Sequence, residues 1–253
     1  MTIWIDPPAW PAHGRLWSHL ISDTGLDELH AFAASCGIPR RGFEGDHYDV
    51  PQEHYAAAVA AGAVQTSGPD LLRRLQASGL RLRKRKGERG IAKIHGVRFP
   101  DGTVADVDFV ASRREPPDTG VFASLVFLAD ADDHWLLVYS RRRGEWSAPS
   151  GWREPGERPA ETVCREVREE TGLALEPGQL TPVAYERFYP HDPDAWPVLG
   201  RFMAVYRARL SERRPSLAAQ DGEPARWATR ADFLETAAAS WWLPMAQAVL
   251  GAA

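Results

Sequence analysis

The sequence has few of the features that set a protein apart from ordinary globular chains. Only two of its 253 residues are cysteines, Cys36 and Cys164, so a disulfide scaffold or a zinc site built from several cysteines is excluded. No apolar run approaches the roughly 18 residues needed to cross a bilayer. The first residues also lack the basic and apolar regions of a signal peptide. We therefore expect a cytoplasmic protein that does not enter a membrane.

An excess of positive charge is also missing. Lysine and arginine total 30 against 34 acidic residues, a net charge of −4, which gives no overall electrostatic reason to bind nucleic acid. One basic tract, RLRKRKGERG at 81–90, is interpreted as a solvated linker, with an RNA-binding patch as the alternative. The tract separates two predicted domains, 1–87 and 88–253.

The first domain alternates β-rich runs with helical segments. Helices are predicted from Thr24, Pro51 and Pro69, and each of them runs into a glycine that would end it. Short β-rich runs precede these helices. Such alternation predicts a small parallel α/β domain.

Polar residues follow the predicted strands of this domain, and five of the eight histidines lie within the first 54 residues. Loops that follow parallel strands leave one edge of the sheet, where ligands bind. We therefore expect a second site that binds a phosphate-bearing or other anionic ligand, made by Asp6, His13, Asp46, His47 and Ser67. The alternative is that these residues only cap helices and bond loops. The domain would then serve in homodimer formation or in shaping a pocket of the second domain.

The second domain is predicted to be rich in strands, with one central helix. A hairpin about Pro100-Asp101-Gly102, within 91–112, comes first. Five further strands are predicted at 121–128, 135–140, 182–189, 198–210 and 225–228. The central helix lies near 158–171.

This central helix carries an unusual concentration of acid. Glu166, Glu169 and Glu170 lie at spacings of three and four, beside a separate apolar stripe. Like charges at these spacings repel each other and destabilise a helix, so a compensating cation is expected. Hard carboxylate oxygens suit Mg²⁺ or Mn²⁺. A divalent cation held this way suits a polyphosphate substrate, because it neutralises phosphate charge and acidifies the attacking water.

The segment GWREPGERPAETVCREVREETGL resembles the Nudix box, G-x5-E-x7-R-E-U-x-E-E-x-G-U, where U is a bulky aliphatic residue. The alternative, an acidic solvated helix, would explain the glutamates but not the glycines and the arginine at fixed offsets. Ser150 stands where the family commonly has glycine. Every specified position of the box is matched, by Gly151, Glu157, Arg165, Glu166, Val167, Glu169, Glu170, Gly172 and Leu173.

The resemblance implies an α/β/α sandwich with a mixed sheet over about 120–250. It also implies hydrolysis of a nucleoside diphosphate linked to another group, with a non-catalytic nucleotide sensor as the alternative. By the same resemblance, Glu166, Glu169 and Glu170 are metal ligands. Glu157 is a further or water-mediated ligand, Gly151 offers its carbonyl, and Arg165 orients the carboxylates. Residues 1–87 resemble an uncharacterised domain found ahead of Nudix domains, which implies no activity.

The general base and the substrate contacts are less specified. In this family the base lies in the box or in a later loop, where Asp221 and Glu223 are the candidates; a polar turn is the alternative. Guanidinium groups can grip phosphate and aromatic rings can stack on a base, although both residue types are also common on surfaces and in cores. On these grounds we expect substrate contacts from Arg141, Arg142, Arg143, Trp146 and Tyr189.

Overall fold

Residues 2–220 and 222–251 are described by the computed structural model. They divide into two units, Met1–Lys84 and Arg85–Ala253. No helix among these residues is long and apolar enough to span a membrane.

The N-terminal unit combines three helices with a five-stranded sheet, and the helices lie where the sequence predicts them. Its core contains Ile5, Leu20, Leu29, Tyr48 and Val50. In chain order the elements are β1 (Ile3–Ile5), β2 (Trp10–Ala12), β3 (Arg15–Ser22), α1 (Leu26–Ser35), β4 (Tyr48–Pro51), α2 (Gln52–Ala60), β5 (Val64–Gln65) and α3 (Gly68–Ala77).

The α/β class of this unit is confirmed, but the prediction of a parallel sheet is wrong. Only β1 and β5 pair in parallel, whereas β3 pairs antiparallel with β1, β2 and β4. The cause is a tight hairpin between β2 and β3. His13 and Gly14 form its two-residue turn, with φ values of 50° and 74°, a left-handed pair that matches the twist of antiparallel strands.

The start of the basic tract is packed, which corrects its interpretation as a solvated linker. Leu82 is fully buried, and its backbone N–H donates to Asp46 at 2.7 Å. The Arg81 guanidinium donates to the same carboxylate oxygen, Asp46 Oδ2, at 3.1 Å. Lys84 donates to the carbonyl and the carboxylate of Glu44. Residues 81–84 therefore belong to the N-terminal unit, and their cations are partly neutralised by its acids.

The C-terminal unit is built on a nine-stranded mixed sheet. The elements are β6 (Arg89–Arg98), β7 (Val104–Ala111), β8 (Val121–Ala129), β9 (Trp135–Ser140), β10 (Glu145–Ser147), β11 (Ser150–Trp152), α4 (Pro159–Thr171), β12 (Thr181–Pro190), β13 (Phe202–Arg209), β14 (Ala225–Ala228), α5 (Arg230–Thr236) and α6 (Leu243–Gly251). The strands follow the order β10-β9-β8-β13-β12-β7-β6 across the sheet, while β11 pairs with β8 and β14 pairs with β9.

Both faces of this sheet are covered, as expected for an α/β/α sandwich. Alternate residues of a strand point to opposite faces, and β8 shows the result. Its Val126 and Leu128 pack in one core with Val163 of α4. Its Phe127 packs in the other core, with Phe233 of α5 and with residues of α6. Helix α4 is thereby fixed against the centre of the sheet, with its acidic residues beside β11.

Candidate active site

The box begins with a close approach between β11 and α4. Gly151 lies in the middle of β11, and a Cβ atom added there would fall 1.8 Å from Glu166 Oε1. The Glu166 carboxylate therefore occupies the space that any side chain at position 151 would need. This explains why the box requires glycine at its first position, fifteen residues before the glutamate.

Arg165 organises the carboxylates of the box. Its Nε donates to Glu157 Oε1 at 2.8 Å. Its Nη1 donates to Glu166 at 2.9 Å and to Glu169 at 3.0 Å, and its Nη2 donates to the Trp152 carbonyl at 2.8 Å. One guanidinium thus ties α4 to β11 and to the turn before the helix. The same hydrogen bonds lower the pKa of Glu157.

The donor set fits a hard divalent cation. Three carboxylates share the single guanidinium of Arg165, and Glu170 adds a fourth to the wall of the cavity that Glu166 lines. Burial raises the pKa of Glu166 in spite of its contact with Arg165, so its buried negative charge is incompletely balanced. Carboxylate oxygens in this number are the ligands that Mg²⁺ and Mn²⁺ prefer.

A cavity of about 840 Å³ opens beside these acids. Its polar lining includes Gly151, Glu166 and Glu170 of the box, together with Arg142 and Arg143. Its other walls are aromatic, and the rings touch one another, for example Phe188 and Trp196 at 5.7 Å and Phe122 and Phe188 at 5.2 Å. The cavity therefore brings the box acids and a group of aromatic rings into one space, with rings from Phe99, Phe122, Trp152, Phe188, Trp196, Trp241 and Trp242.

Glu223 reaches this cavity from the loop after β13. The backbone N–H of Arg141 donates to Glu223 Oε1 at 3.0 Å, and the Arg141 guanidinium donates to the Gly222 carbonyl. Earlier in the loop, the Gln220 backbone N–H donates to the Glu169 carbonyl at 2.7 Å. The loop is therefore attached to both β9 and the end of the box helix. The other predicted base, Asp221, lies outside the described residues.

Of the predicted substrate contacts, only Arg142 and Arg143 line the cavity. Arg141 instead holds the Glu223 loop. Trp146 packs edge-on against Tyr139, with the Arg226 guanidinium over its ring. Tyr189 donates to Asp108 at 3.0 Å, under the Lys93 ammonium. The structure thus gives Trp146 and Tyr189 packing roles outside the cavity lining, because their positions in β10 and β12 turn them away from it.

Glu186 is a cavity residue that the sequence analysis missed. It lies in β12, is almost fully buried, and its Oε2 has no hydrogen-bond partner among the described residues. Burial raises its pKa to about 8, so it holds a proton at neutral pH. One sequence feature could have identified it. Glu186 precedes Phe188 by two residues, so the strand places this acid on the same face as the apolar ring.

The residues of the predicted second site are only partly brought together. Asp6 accepts from His19 Nδ1 at 2.9 Å, and Asp46 accepts from His47 Nδ1 at 2.5 Å. The His19 and His47 rings are 5.4 Å apart. His13 lines a separate cavity of about 520 Å³ in this unit. Ser67 is instead the N-cap of α3 and accepts from the Asp70 N–H, so its hydroxyl is used in capping.

Parts of the chain are similar to known proteins. The human 8-oxo-dGDP phosphatase NUDT18 is 45% identical over 60 residues, 23% of this chain and 19% of that protein. The Nudix hydrolase YvcI of Bacillus subtilis is 49% identical over 49 residues, 19% of this chain and 31% of that protein. The chain thus spans between a fifth and a third of these relatives.

A dihydroneopterin triphosphate pyrophosphohydrolase from E. coli has a similar solved structure, at 20% identity and a TM-score of 0.41. The match covers 53% of this chain and 99% of that one. Residues 3–78 match the model of DUF4031, a protein family of unknown function. Residues 120–249, slightly more than half of the chain, match the model of the NUDIX domain, and with the complete box they establish that the chain belongs to the Nudix family.

Proposed function

We propose that the C-terminal unit hydrolyses the pyrophosphate bond of a nucleoside diphosphate linked to another group. The observation that carries this proposal is the single cavity that joins the box acids to an aromatic wall. A nucleotide combines the same two kinds of group, since it carries an anionic diphosphate and a flat base. Aromatic rings offer a base large stacking surfaces.

We assign separate roles to the residues around the cavity: metal binding, phosphate binding and stacking on the base. Glu166, Glu169 and Glu170 would hold Mg²⁺ or Mn²⁺, with Glu157 and the Gly151 carbonyl as further donors and Arg165 fixing their directions. When bound, the cation neutralises phosphate charge and lowers the pKa of a water. Arg142 and Arg143 face the same space and can pair with phosphate oxygens. Phe188 and Trp196 would receive the base.

The first prediction concerns substrates and metal. Purified protein is mixed with ADP-ribose, nucleotide sugars, dinucleotides and 8-oxo-dGDP in millimolar Mg²⁺ or Mn²⁺, and products are separated by anion-exchange chromatography. We expect cleavage of at least one compound to a nucleoside monophosphate. Excess chelator should abolish cleavage, because the carboxylates then lack their counter-charge, and added Mg²⁺ or Mn²⁺ should restore it. Full activity in chelator would overturn the metal assignment.

The alternative is a nucleotide sensor that binds without cleaving. The complete box argues against it, since each acid of the box is present and linked to Arg165 directly or through the shared cavity. Calorimetric binding measured beside the activity screen separates the two functions. Tight binding of a nucleotide without turnover in either metal would support the sensor.

A second prediction concerns the general base outside the box. Replacing Glu223 by Gln keeps an oxygen for the Arg141 N–H but removes the basic carboxylate. If Glu223 takes the proton of the attacking water, kcat should fall by about 10²–10⁴-fold while the metal concentration for half-maximal activity stays the same. Stopped-time assays over a metal titration measure both quantities.

Asp221→Asn provides the comparison for this variant, because it removes the neighbouring acid of the same loop. A loss confined to Asp221→Asn would move the base to that residue. Wild-type rates in both variants would place the base within the box.

A further inference from the structure

A cluster in the N-terminal unit carries an inference independent of the Nudix site. His19 and Asp49 are directly opposite each other in the β3–β4 pair, and His47 lies just before β4, two residues ahead of Asp49. One ligand atom from each of these three residues lies within 4.8 Å of the other two. Neither His19 nor Asp49 is singled out by the sequence, because their meeting depends on the unexpected antiparallel pairing.

A buried carboxylate accepts a hydrogen bond from the Nδ1 atom of each imidazole ring. Asp6, 2% exposed, accepts from His19 Nδ1 and also from the His19 backbone N–H and Trp10 Nε1. Asp46, fully buried, accepts from His47 Nδ1, and from Arg81 and the Leu82 N–H. A carboxylate only accepts hydrogen bonds, so each Nδ1 carries a proton. In the neutral ring each Nε2 is then left with a lone pair.

Both Nε2 atoms face the Asp49 carboxylate. His47 Nε2 lies 3.4 Å from Asp49 Oδ1, and His19 Nε2 lies 3.9 Å from the same oxygen. Both distances exceed the ~2.7–3.2 Å of a good N–H···O hydrogen bond. Two ligands at ~2.0–2.1 Å from a tetrahedral metal are themselves ~3.4 Å apart. A cation bound between these atoms would be coordinated by the two Nε2 atoms and by Asp49 Oδ1.

We propose that His19, His47 and Asp49 bind a divalent transition-metal ion of the Zn²⁺ type, distinct from the cation of the Nudix box. Two imidazole nitrogens with one carboxylate favour such metals over Mg²⁺, which prefers oxygen. The carboxylate behind each ring is the usual outer partner of a metal-bound histidine, fixing its tautomer and orientation. Both His19 and Asp49 line the cavity of about 520 Å³, so a fourth position is open to water or a ligand.

The cavity also indicates what such an open position would accept. Arg15 and Arg41 lie in its wall with His13 and His54, and Arg15 is paired with Glu53. Glu44 and Glu53 lie in the same wall and offset the two arginines, so it is the bound cation itself that would favour an anionic ligand. The anion-binding site expected from the sequence would then be centred on the metal rather than on the N-terminus of α3.

The test uses the tag-free full chain, stripped with chelator and kept in millimolar Mg²⁺ to supply the box. Zn²⁺ binding is measured by calorimetry and Co²⁺ binding by its visible absorption. We expect one Zn²⁺ per chain that Mg²⁺ does not displace. Asp49→Asn and His19→Gln should weaken this binding by at least ~100-fold, and Asp6→Asn, acting through His19, by ~10–100-fold.

Two controls separate this site from its surroundings. His54→Gln alters a cavity residue outside the cluster, and Glu170→Gln alters the Nudix box; both should leave Zn²⁺ affinity within ~2-fold, because neither supplies a ligand. Circular dichroism and thermal melting establish that each variant is folded. On adding Zn²⁺, the ¹⁵N resonances of His19 and His47 Nε2 should shift.

The proposal fails if folded wild-type protein binds no Zn²⁺, or if Asp49→Asn and His19→Gln bind it as tightly as wild type. Protons on both nitrogens of His47 in the presence of Zn²⁺ would identify the cluster as an ion pair instead. A loss of Zn²⁺ binding in Glu170→Gln with none in Asp49→Asn would assign the ion to the box.

Discussion

Replacing Glu170 by Gln should lower kcat for pyrophosphate hydrolysis by at least about 10²-fold. The substitution keeps the size of the side chain but removes the charge of a carboxylate that lines the cavity with Glu166. The hydrogen bonds from Arg165 to Glu157, Glu166 and Glu169 do not involve the Glu170 side chain, so the substitution leaves those hydrogen bonds intact. Steady-state rates over a range of metal concentrations would show the effect.

Glu161→Gln is the matched control for this variant. Glu161 lies on the same helix, but its side chain is partly exposed and pairs with Arg158 at the N-terminus of α4. Its loss should cost a small amount of helix stability and leave kcat within about 2-fold of wild type, because the residue is remote from the cavity. Equal rates in Glu170→Gln and wild type would remove Glu170 from the metal-binding set.

Gly151→Ala should be almost as damaging, although it changes only one methyl group. The new Cβ would lie 1.8 Å from Glu166 Oε1, so the carboxylate must leave its position and its hydrogen bond with Arg165. Displacing a catalytic group by about 1 Å can cost about 10²-fold in rate, and we expect a loss of that order. The backbone itself is unstrained by alanine here, since φ at this residue is not positive.

Gly178→Ala tests whether the loss comes from that contact. Nothing lies within 4 Å of a Cβ at position 178, so its rate and melting temperature should match those of wild type. Gly151→Ala should also stay folded, because Glu166 lines the cavity and its side chain can rotate into that space. Wild-type activity in Gly151→Ala would show that the position of Glu166 is not important for catalysis.

The sequence predicts the box well, because each of its requirements is local. The spacing of the glutamates fixes their side of α4, Gly172 ends the helix with φ +75°, and a single arginine is within reach of three acids. The aromatic wall could not be predicted in the same way. Which rings face the cavity depends on strand register, and Phe188 and Tyr189 are adjacent residues with opposite outcomes.

The N-terminal unit shows a similar limit. Its helices are marked by prolines and glycines, so they could be predicted from the sequence. Its strand pairing depends on the turn at His13 and Gly14. His13 adopts a left-handed conformation there, which is uncommon for a residue other than glycine. Once that turn is formed, β3 meets β4 and His19 comes opposite Asp49. The proposed metal-binding cluster could therefore not be predicted from a sequence motif, because it depends on how the strands pair.

The packing of Leu82 decides where an expressed fragment of the N-terminal unit should end. The DUF4031 match ends at residue 78, yet Leu80 and Leu82 are buried and Asp46 takes two hydrogen bonds from residues 81 and 82. A fragment cut at the family boundary would expose these leucines and leave a buried carboxylate under-bonded, at a cost of several kcal/mol. Since Asp46 also orients His47, such a fragment would be a poor substitute for the whole unit, and an expressed piece should extend through Lys84.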